Sequence, residues 1–233
     1  MAGASAPAFF VALAVALPPN GGMKPAPDLV FETAALARGF TRIAGVDEVG
    51  RGPLAGPVTA AAVVLDLNCI PVGLNDSKVL TAAQRNALAA AILASADCAV
   101  AHASVEEIDS INILQASHLA MRRALAALAL PADHALIDGN RMPRDMTLSG
   151  ECIVRGDAYS LSIAAASIIA KVARDALMVD LAQQHPGYGW HKNAGYPTPD
   201  HLAALKNLGV TPYHRRSFRP VHNILYQDVS LTP

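Results

Sequence analysis

Apolar residues in this chain occur in two kinds of run that alternate along the sequence. Short runs rich in β-branched residues are typical of buried strands, and they lie at about 42–49, 58–65, 97–104 and 134–137. Longer segments with apolar residues at helical spacing predict helices at about 31–38, 81–95, 112–128, 160–184 and 199–208. Because the first two strands are close in sequence, we expect them to pair antiparallel. This order of elements predicts an α/β fold in which helices pack on a sheet.

The longest predicted helix, 160–184, is apolar on most faces, so we expect it to be largely buried. Its one polar stripe consists of Ser167, Lys171 and Asp175, which recur every four residues. This face of the helix could border a functional site. An internal ion pair between Lys171 and Asp175 is favoured over a role in catalysis.

Composition supports one domain with a sizeable core. The chain has 233 residues, of which 52% are hydrophobic and 5% aromatic, so small side chains must pack the helices closely on the sheet. The formal net charge of -1 argues against a protein that coats nucleic acid non-specifically, although it does not exclude a local basic cleft. Cys69, Cys98 and Cys152 lack metal-ligand spacing and indicate reduced thiols in a cytoplasmic protein.

The first 22 residues differ from the rest of the chain. Residues 9–17 are apolar, but no basic residue precedes them, two prolines follow them, and nine residues are too few to span a bilayer. We therefore expect no membrane association. Residues 1–22 are predicted to be a disordered, dispensable extension, or else translation begins at Met23.

Two adjacent carboxylates, Asp47 and Glu48, lie at the end of an apolar run. Such a pair resists burial unless a cation or hydrogen-bond donors compensate it, which suggests a hard divalent metal. Two solvated acids at the end of a strand are the alternative. Consecutive side chains on a regular strand point to opposite faces, so the strand must bend or end here. Gly50, Gly52 and Pro53 supply that break.

The same glycines formally match the dinucleotide-binding fingerprint, as Gly50-x-Gly52-x-x-Ala55. That fingerprint requires a helix to begin within the glycines. Prolines intervene here, and the apolar run 58–65 that follows predicts a strand. A nucleotide-binding loop is therefore disfavoured.

Six blocks of sequence, in order over about 43–221, resemble the ribonuclease HII family. The first block is Asp47-Glu48 with Gly50-Arg51-Gly52-Pro53-Leu54-Ala55-Gly56-Pro57. The others are Asn75-Asp76-Ser77-Lys78, Leu136-Ile137-Asp138-Gly139-Asn140, Gly156-Asp157-Ala158 with 164–175, Gly195-Tyr196-Pro197-Thr198 with His201, and His214-Arg215-Arg216-Ser217-Phe218. One block alone is a weak signal, whereas six in the same order are specific.

The resemblance implies a ribonuclease H-like fold, which is a mixed sheet flanked by helices, here with a small C-terminal helical extension. The catalytic domain would cover 23–221, and the tail 222–233 has no assignable pattern. The four acids of the family's site would be Asp47, Glu48, Asp138 and Asp157, and they would bind two divalent ions, Mg²⁺ or Mn²⁺. Taken singly, Asp138 is also explained as a turn residue and Asp157 as an acid at a helix start.

The resemblance also implies the substrate. The enzyme would hydrolyse the RNA strand of an RNA/DNA hybrid and cut 5′ of a single ribonucleotide embedded in duplex DNA, leaving 5′-phosphate and 3′-hydroxyl ends. Gly50, Arg51 and Gly52 would meet the 2′-hydroxyl that distinguishes RNA from DNA. Lys78 would contact phosphate, unless it is an ordinary surface lysine. Tyr196 would stack on the sugar of the following deoxynucleotide, unless it is an aromatic core residue.

A basic C-terminal cluster consists of His214, Arg215, Arg216 and Arg219, and it either holds the duplex backbone or is a solvated tail. We expect a monomer that acts in ribonucleotide excision repair. Two alternative functions remain. A non-catalytic hybrid-binding protein is disfavoured by four intact acids, and another nuclease of the same superfamily is disfavoured by the Gly-Arg-Gly loop and the Tyr196 block.

Overall fold

The computed structural model describes residues 26–226, so the predicted extension 1–22 lies outside the described residues. Five strands form a mixed sheet in the order β3-β2-β1-β4-β5. Their bounds are β1 Ile43–Val49, β2 Val58–Leu65, β3 Ala96–Ala103, β4 His134–Asp138 and β5 Ser149–Ile153. β1 pairs antiparallel with β2 and parallel with β4, while β2–β3 is antiparallel and β4–β5 is parallel. The predicted antiparallel pair is therefore confirmed.

Seven helices accompany the sheet within the described residues. Their bounds are α1 Val30–Ala37, α2 Ala82–Ser95, α3 Val105–Ala126, α4 Leu161–Gln184, α5 Trp190–Asn193, α6 Pro199–Leu208 and α7 Arg219–Tyr226. A short 3₁₀ turn, Gly156–Ala158, precedes α4. None of the helices in residues 26–226 is both long and apolar enough to cross a membrane.

The interior strand β2 is buried on both faces, and its alternating side chains divide the core into two layers. Ala60 and Ala62 pack with the apolar face of α3, whereas Ala61 and Val63 pack with α2 and α4. Small residues let the helices approach closely. A Cβ atom at Gly45 would lie 2.1 Å from the main-chain carbon of Ser162, so the start of α4 rests directly on β1.

A third apolar cluster joins the C-terminal helices to the second half of α4. It contains Met178 and Leu181 of α4 together with Trp190, Leu205 and Val221. The predicted helical extension is therefore packed on the catalytic part of the chain. α7 continues through the predicted boundary at Val221, and residues 222–226 are helical where the sequence offered no pattern.

One helix start was predicted too late, and one strand was missed. α3 begins at Val105 rather than at 112, because the side chain of Ser104 accepts the N–H of Glu107 while Glu107 accepts the N–H of Ser104. The strand β5 was missed because only the last of its five residues is buried.

Candidate active site

The first two predicted acids lie near the C-terminal end of β1. Asp47 and Glu48 stay in the ladder, opposite Ala61 and Ala60, and the strand ends one residue later. Gly50 then adopts φ +94°, a conformation that favours glycine, and the chain leaves the sheet. The predicted break is therefore present at Gly50, but it follows Val49, so the strand does not bend or end at the acidic pair itself.

The other two acids reach the same place from elsewhere in the chain. Asp138 is the last residue of β4, which lies beside β1, and Asp157 lies in the turn before α4. Burial, then the charges of Asp157 and Glu48, raise the pKa of Asp138 to about 6. Burial, then the charges of Asp138 and Glu48, raise the pKa of Asp47 well above its usual value. The structure thus gathers all four predicted acids into one mutually repelling cluster.

Each carboxylate in the cluster has a partner that orients it. The Gly156 N–H donates to Asp138 Oδ1 at 2.6 Å, and the Glu48 N–H donates to Asp47 Oδ1 at 2.8 Å. Lys78 Nζ lies 3.0 Å from Asp157 Oδ2, and Arg51 Nη1 lies 3.0 Å from Glu48 Oε1. These contacts fix the side chains but leave the cluster with more negative than positive charge.

Ser167 is a site residue that the sequence indicated only as part of the polar stripe on α4. A hydrogen bond from its side chain lowers the pKa of Asp47 and so counteracts the effect of burial, and its hydroxyl oxygen lies 2.8 Å from Ser77 Oγ. The stripe divides there, because Lys171 and Asp175 form the predicted internal ion pair at 2.6 Å. Only the first residue of the stripe faces the acids.

The donor set fits a hard divalent cation. All four predicted ligands are carboxylates, and Glu48 Oε2 is buried without a hydrogen-bond partner. Within residues 26–226, however, no group of three or more His, Cys, Asp or Glu side chains is arranged so that it could hold a metal ion without further ligands or movement of the side chains. Mg²⁺ is usually bound by one or two carboxylates together with waters and substrate phosphates, so an open acidic site suits it better than a closed cage.

The predicted substrate loop lies beside this cluster. Tyr196 is 42% exposed, which contradicts the alternative that it is a core residue. A Cβ atom at Gly52 would lie 3.3 Å from Tyr196 Cε1, so the ring borders the Gly-Arg-Gly loop. Lys78 also lies at the cluster, with a side chain that is 74% exposed. Its burial lowers its pKa, but the hydrogen bond and charge of Asp157 outweigh that effect and raise the pKa overall.

Sequence reasoning was wrong about half of the basic C-terminal cluster. Arg215 is fully buried and donates to the main-chain oxygens of Gly50, Arg51 and Gly56 at 2.6, 3.0 and 2.9 Å. His214 is also buried, and burial together with two neighbouring histidines lowers its pKa to about 4. Neither residue holds the duplex backbone or lies in a solvated tail.

The family model described as Ribonuclease HII matches residues 44–221. The chain belongs to the ribonuclease HII family. A ribonuclease HII from Cereibacter sphaeroides (strain ATCC 17025 / ATH 2.4.3) is 70% identical, over 89% of this chain and 98% of the relative. One from Ruegeria sp. (strain TM1040) is 68% identical, over 90% of this chain and 91% of the relative. The crystal structure of ribonuclease H2 from Pyrococcus horikoshii OT3 superposes with a TM-score of 0.70 at 27% identity, covering 82% of this chain and 100% of that one.

Membership of the ribonuclease HII family confirms two of the sequence predictions. The fold is the ribonuclease H-like mixed sheet flanked by helices. The enzyme class is a metal-dependent endoribonuclease, which is a hydrolase. The roles of the individual acids, of Lys78 and of Tyr196 stay predictions.

Proposed function

We propose that this member of the ribonuclease HII family hydrolyses the RNA strand of RNA/DNA hybrids and cuts 5′ of single ribonucleotides embedded in duplex DNA, leaving 5′-phosphate and 3′-hydroxyl ends. The observation that carries the proposal is the cluster of Asp47, Glu48, Asp138 and Asp157, in which burial and repulsion raise the pKa values of Asp47 and Asp138. It would act as a monomer in ribonucleotide excision repair in the cytoplasm.

The four carboxylates would hold two divalent ions, Mg²⁺ or Mn²⁺. When bound, such ions supply an activated water and stabilise the charge on the leaving 3′ oxygen. The chain's own residues keep the carboxylates in place: Ser167 orients Asp47, and the Gly156 N–H orients Asp138. Position and charge are therefore the main contributions of the protein.

Lys78 has two tasks in this proposal. Its ammonium group fixes Asp157 at 3.0 Å, while most of its side chain remains exposed. An exposed cation at the edge of an acidic site is suited to a phosphate of the substrate. Arg51, which is half-exposed and paired with Glu48, covers the same edge of the cluster.

Selection of the RNA–DNA junction is assigned to Gly52 and Tyr196. The main chain of the loop would meet the 2′-hydroxyl, and the exposed ring of Tyr196 would stack on the sugar of the next deoxynucleotide. The closeness of the ring to Gly52 supports this division of labour, since a Cβ atom at Gly52 would lie 3.3 Å from Tyr196 Cε1.

Cleavage of a labelled DNA duplex with one ribonucleotide tests the proposal, in Mg²⁺, in Mn²⁺ and with a chelator. We expect 5′-side cleavage only with metal, and Asp47→Asn should abolish it without changing the circular dichroism spectrum, because the change removes charge at nearly constant volume. Asp180→Asn, which alters an exposed acid of α4, is the control and should retain the wild-type rate. Metal-dependent turnover of Asp47→Asn near the wild-type rate would refute the assignment.

A further inference from the structure

The side chain of Arg174, from the middle of α4, is fully buried and connects two separate segments. Its Nε donates to the Pro57 oxygen at 3.0 Å and its Nη2 to the Ala55 oxygen at 3.1 Å, both in the loop that follows Gly52. Its Nη1 donates to the Ala194 oxygen at 3.0 Å, two residues before Tyr196. One rigid, planar group therefore connects the two segments that carry Gly52 and Tyr196, the residues to which selection of the RNA–DNA junction is assigned.

Gly50 leaves the space that the side chain of Arg174 occupies. A Cβ atom at Gly50 would lie 2.1 Å from Arg174 Nε, so no side chain other than hydrogen fits there. The resemblance implied that Gly50 meets the 2′-hydroxyl together with Arg51 and Gly52, but Gly50 is buried and makes room for Arg174. The Leu54 N–H also donates to the Gly195 oxygen at 2.7 Å, which draws the two segments together.

The cation has no acidic partner in the part of the chain that the structure describes, since none of the ion pairs there includes Arg174. Burial lowers its pKa to about 10, so the guanidinium stays charged at neutral pH. Burying such a charge is expensive, and here the three hydrogen bonds that compensate it all go to main-chain oxygens. A group with this cost and this geometry is better explained by the fixed spacing that it imposes than by packing alone.

We propose that Arg174 is a positioning residue that sets the gap between Gly52 and Tyr196, and thereby the preference of the enzyme for an RNA–DNA junction. The inference rests on the proposed function of Gly52 and Tyr196. A guanidinium with three fixed donors holds both segments at once, whereas a lysine ammonium at the end of a flexible chain cannot reproduce three divergent hydrogen bonds. Loss of the guanidinium should therefore loosen Tyr196 relative to the loop and leave the acids unchanged.

The test compares single-turnover rates on two substrates, a duplex with one ribonucleotide and a continuous hybrid. Arg174→Lys should lower the rate on the single ribonucleotide at least about 10-fold more than the rate on the hybrid, because only the junction requires the fixed gap. Arg42→Lys is the control. Arg42 also donates to two main-chain oxygens, of Leu130 and Pro131, but in a different part of the fold. Its substitution should leave unchanged the ratio of the rate on the single ribonucleotide to the rate on the continuous hybrid.

A double-substitution cycle separates this inference from the proposed function. Tyr196→Ala should lower the ratio by itself, and Arg174→Lys should lower it no further in the Tyr196→Ala background. An unchanged ratio for Tyr196→Ala would remove the junction role of Tyr196 and with it the role of Arg174. A lowered ratio for Tyr196→Ala with an unchanged ratio for folded Arg174→Lys would overturn the role of Arg174 alone.

Gly52→Ala provides a second route if Arg174→Lys does not fold. Gly52 has no positive φ, so alanine is allowed, and its Cβ atom would press on Tyr196 from 3.3 Å with Arg174 left in place. We expect the same selective loss on the single ribonucleotide, and no further loss when Tyr196→Ala is added. A wild-type ratio for Gly52→Ala, with a lowered ratio for Tyr196→Ala, would show that the gap does not govern the preference and would overturn the proposal.

Discussion

A single carboxylate, Asp138, illustrates what the acidic cluster does to stability. Its pKa is raised to about 6 in the folded protein by burial and by Asp157 and Glu48, against about 3.8 for the group without these influences. Between these two values the folded protein keeps a proton that the unfolded chain has released. The contribution of Asp138 to the free energy of unfolding of the metal-free protein therefore falls as pH rises from about 4 to 6.

We expect Asp138→Asn to abolish this component of the pH dependence. In the presence of a chelator at pH 7 the variant should be more stable than the wild type by up to about 3 kcal/mol, the equivalent of a shift of about two pKa units. Urea unfolding at pH 4.5 and pH 7 measures the difference. Asp180→Asn should follow the wild-type curve. Parallel curves for wild type and Asp138→Asn would mean that Asp138 carries no raised pKa.

At the scale of residues, the sequence located acids better than it located buried cations. The acids Asp47 and Asp138 end apolar runs, and that pattern indicates a site at the edge of a sheet. Arg174 has no such sign, because it sits next to Asp175 and resembles one more exposed charge on a helix. Arg215 and Arg216 are adjacent in sequence, yet only the first is buried. Which one faces inward depends on tertiary contacts that no local pattern encodes.

Among the elements, α3 contains one residue with a strained backbone conformation. Asn112 has φ 67° and ψ 163° inside the helix, a conformation that side chains other than hydrogen disfavour. Its Oδ1 accepts the N–H groups of Leu114 and Gln115, so it also caps the second part of the helix. The predicted start of the helix at 112 therefore corresponds to a true helix start within a longer element.

The two contributions of Asn112 can be separated by substitution. Asn112→Ala loses the cap and keeps the strain, so we expect a loss of about 2 kcal/mol in the free energy of unfolding. Asn112→Gly loses the cap but relieves the strain, and should lose less than about 1 kcal/mol. Chemical denaturation of both variants measures the difference. If glycine is no better tolerated than alanine, the backbone at this position is not strained.

Strand prediction succeeded where a strand is an apolar run and failed where it is not. β1, β2 and β4 are nearly continuous apolar runs, and their predicted bounds agree with the structure within a residue or two. β5 carries Ser149, Gly150 and Glu151 at an edge of the sheet, so it has no apolar alternation to detect. The start of α3 was detectable, because Ser104 and Glu107 have the spacing of a capping box.

At the scale of the whole molecule, the order of strands depends on a contact that sequence patterns do not show. β1 pairs with β4 across a long stretch of chain, and this pairing brings Asp138 beside the acidic pair. The resemblance supplied the architecture that the apolar pattern alone left open. The Asp157 turn is likewise placed by a distant segment, α1, which lies before the family match at 44–221.

α1 is tied to the turn that carries Asp157 through Glu32. This buried carboxylate accepts the hydroxyl of Ser160 at 2.6 Å, and the N–H and hydroxyl of Ser162 at 2.9 and 2.6 Å, at the start of α4. The Asp28 N–H also donates to the Tyr159 oxygen at 3.1 Å. The first helix therefore anchors both the Asp157 turn and the helix that carries Ser167.

Two truncations test this dependence. A chain that begins at Met23 should fold and cleave like the full chain, because it keeps α1 and every block of the resemblance. A chain that begins at Thr41 keeps the whole family match but loses Glu32 and the apolar contacts of Phe31 and Leu36 with the core. We expect its melting temperature to fall by at least about 10 °C, corresponding to a loss of about 4 kcal/mol. Cleavage should fall with it, since Asp157 loses its support. A Thr41 chain with wild-type melting and cleavage would show that the family match is self-sufficient and that α1 does not position the site.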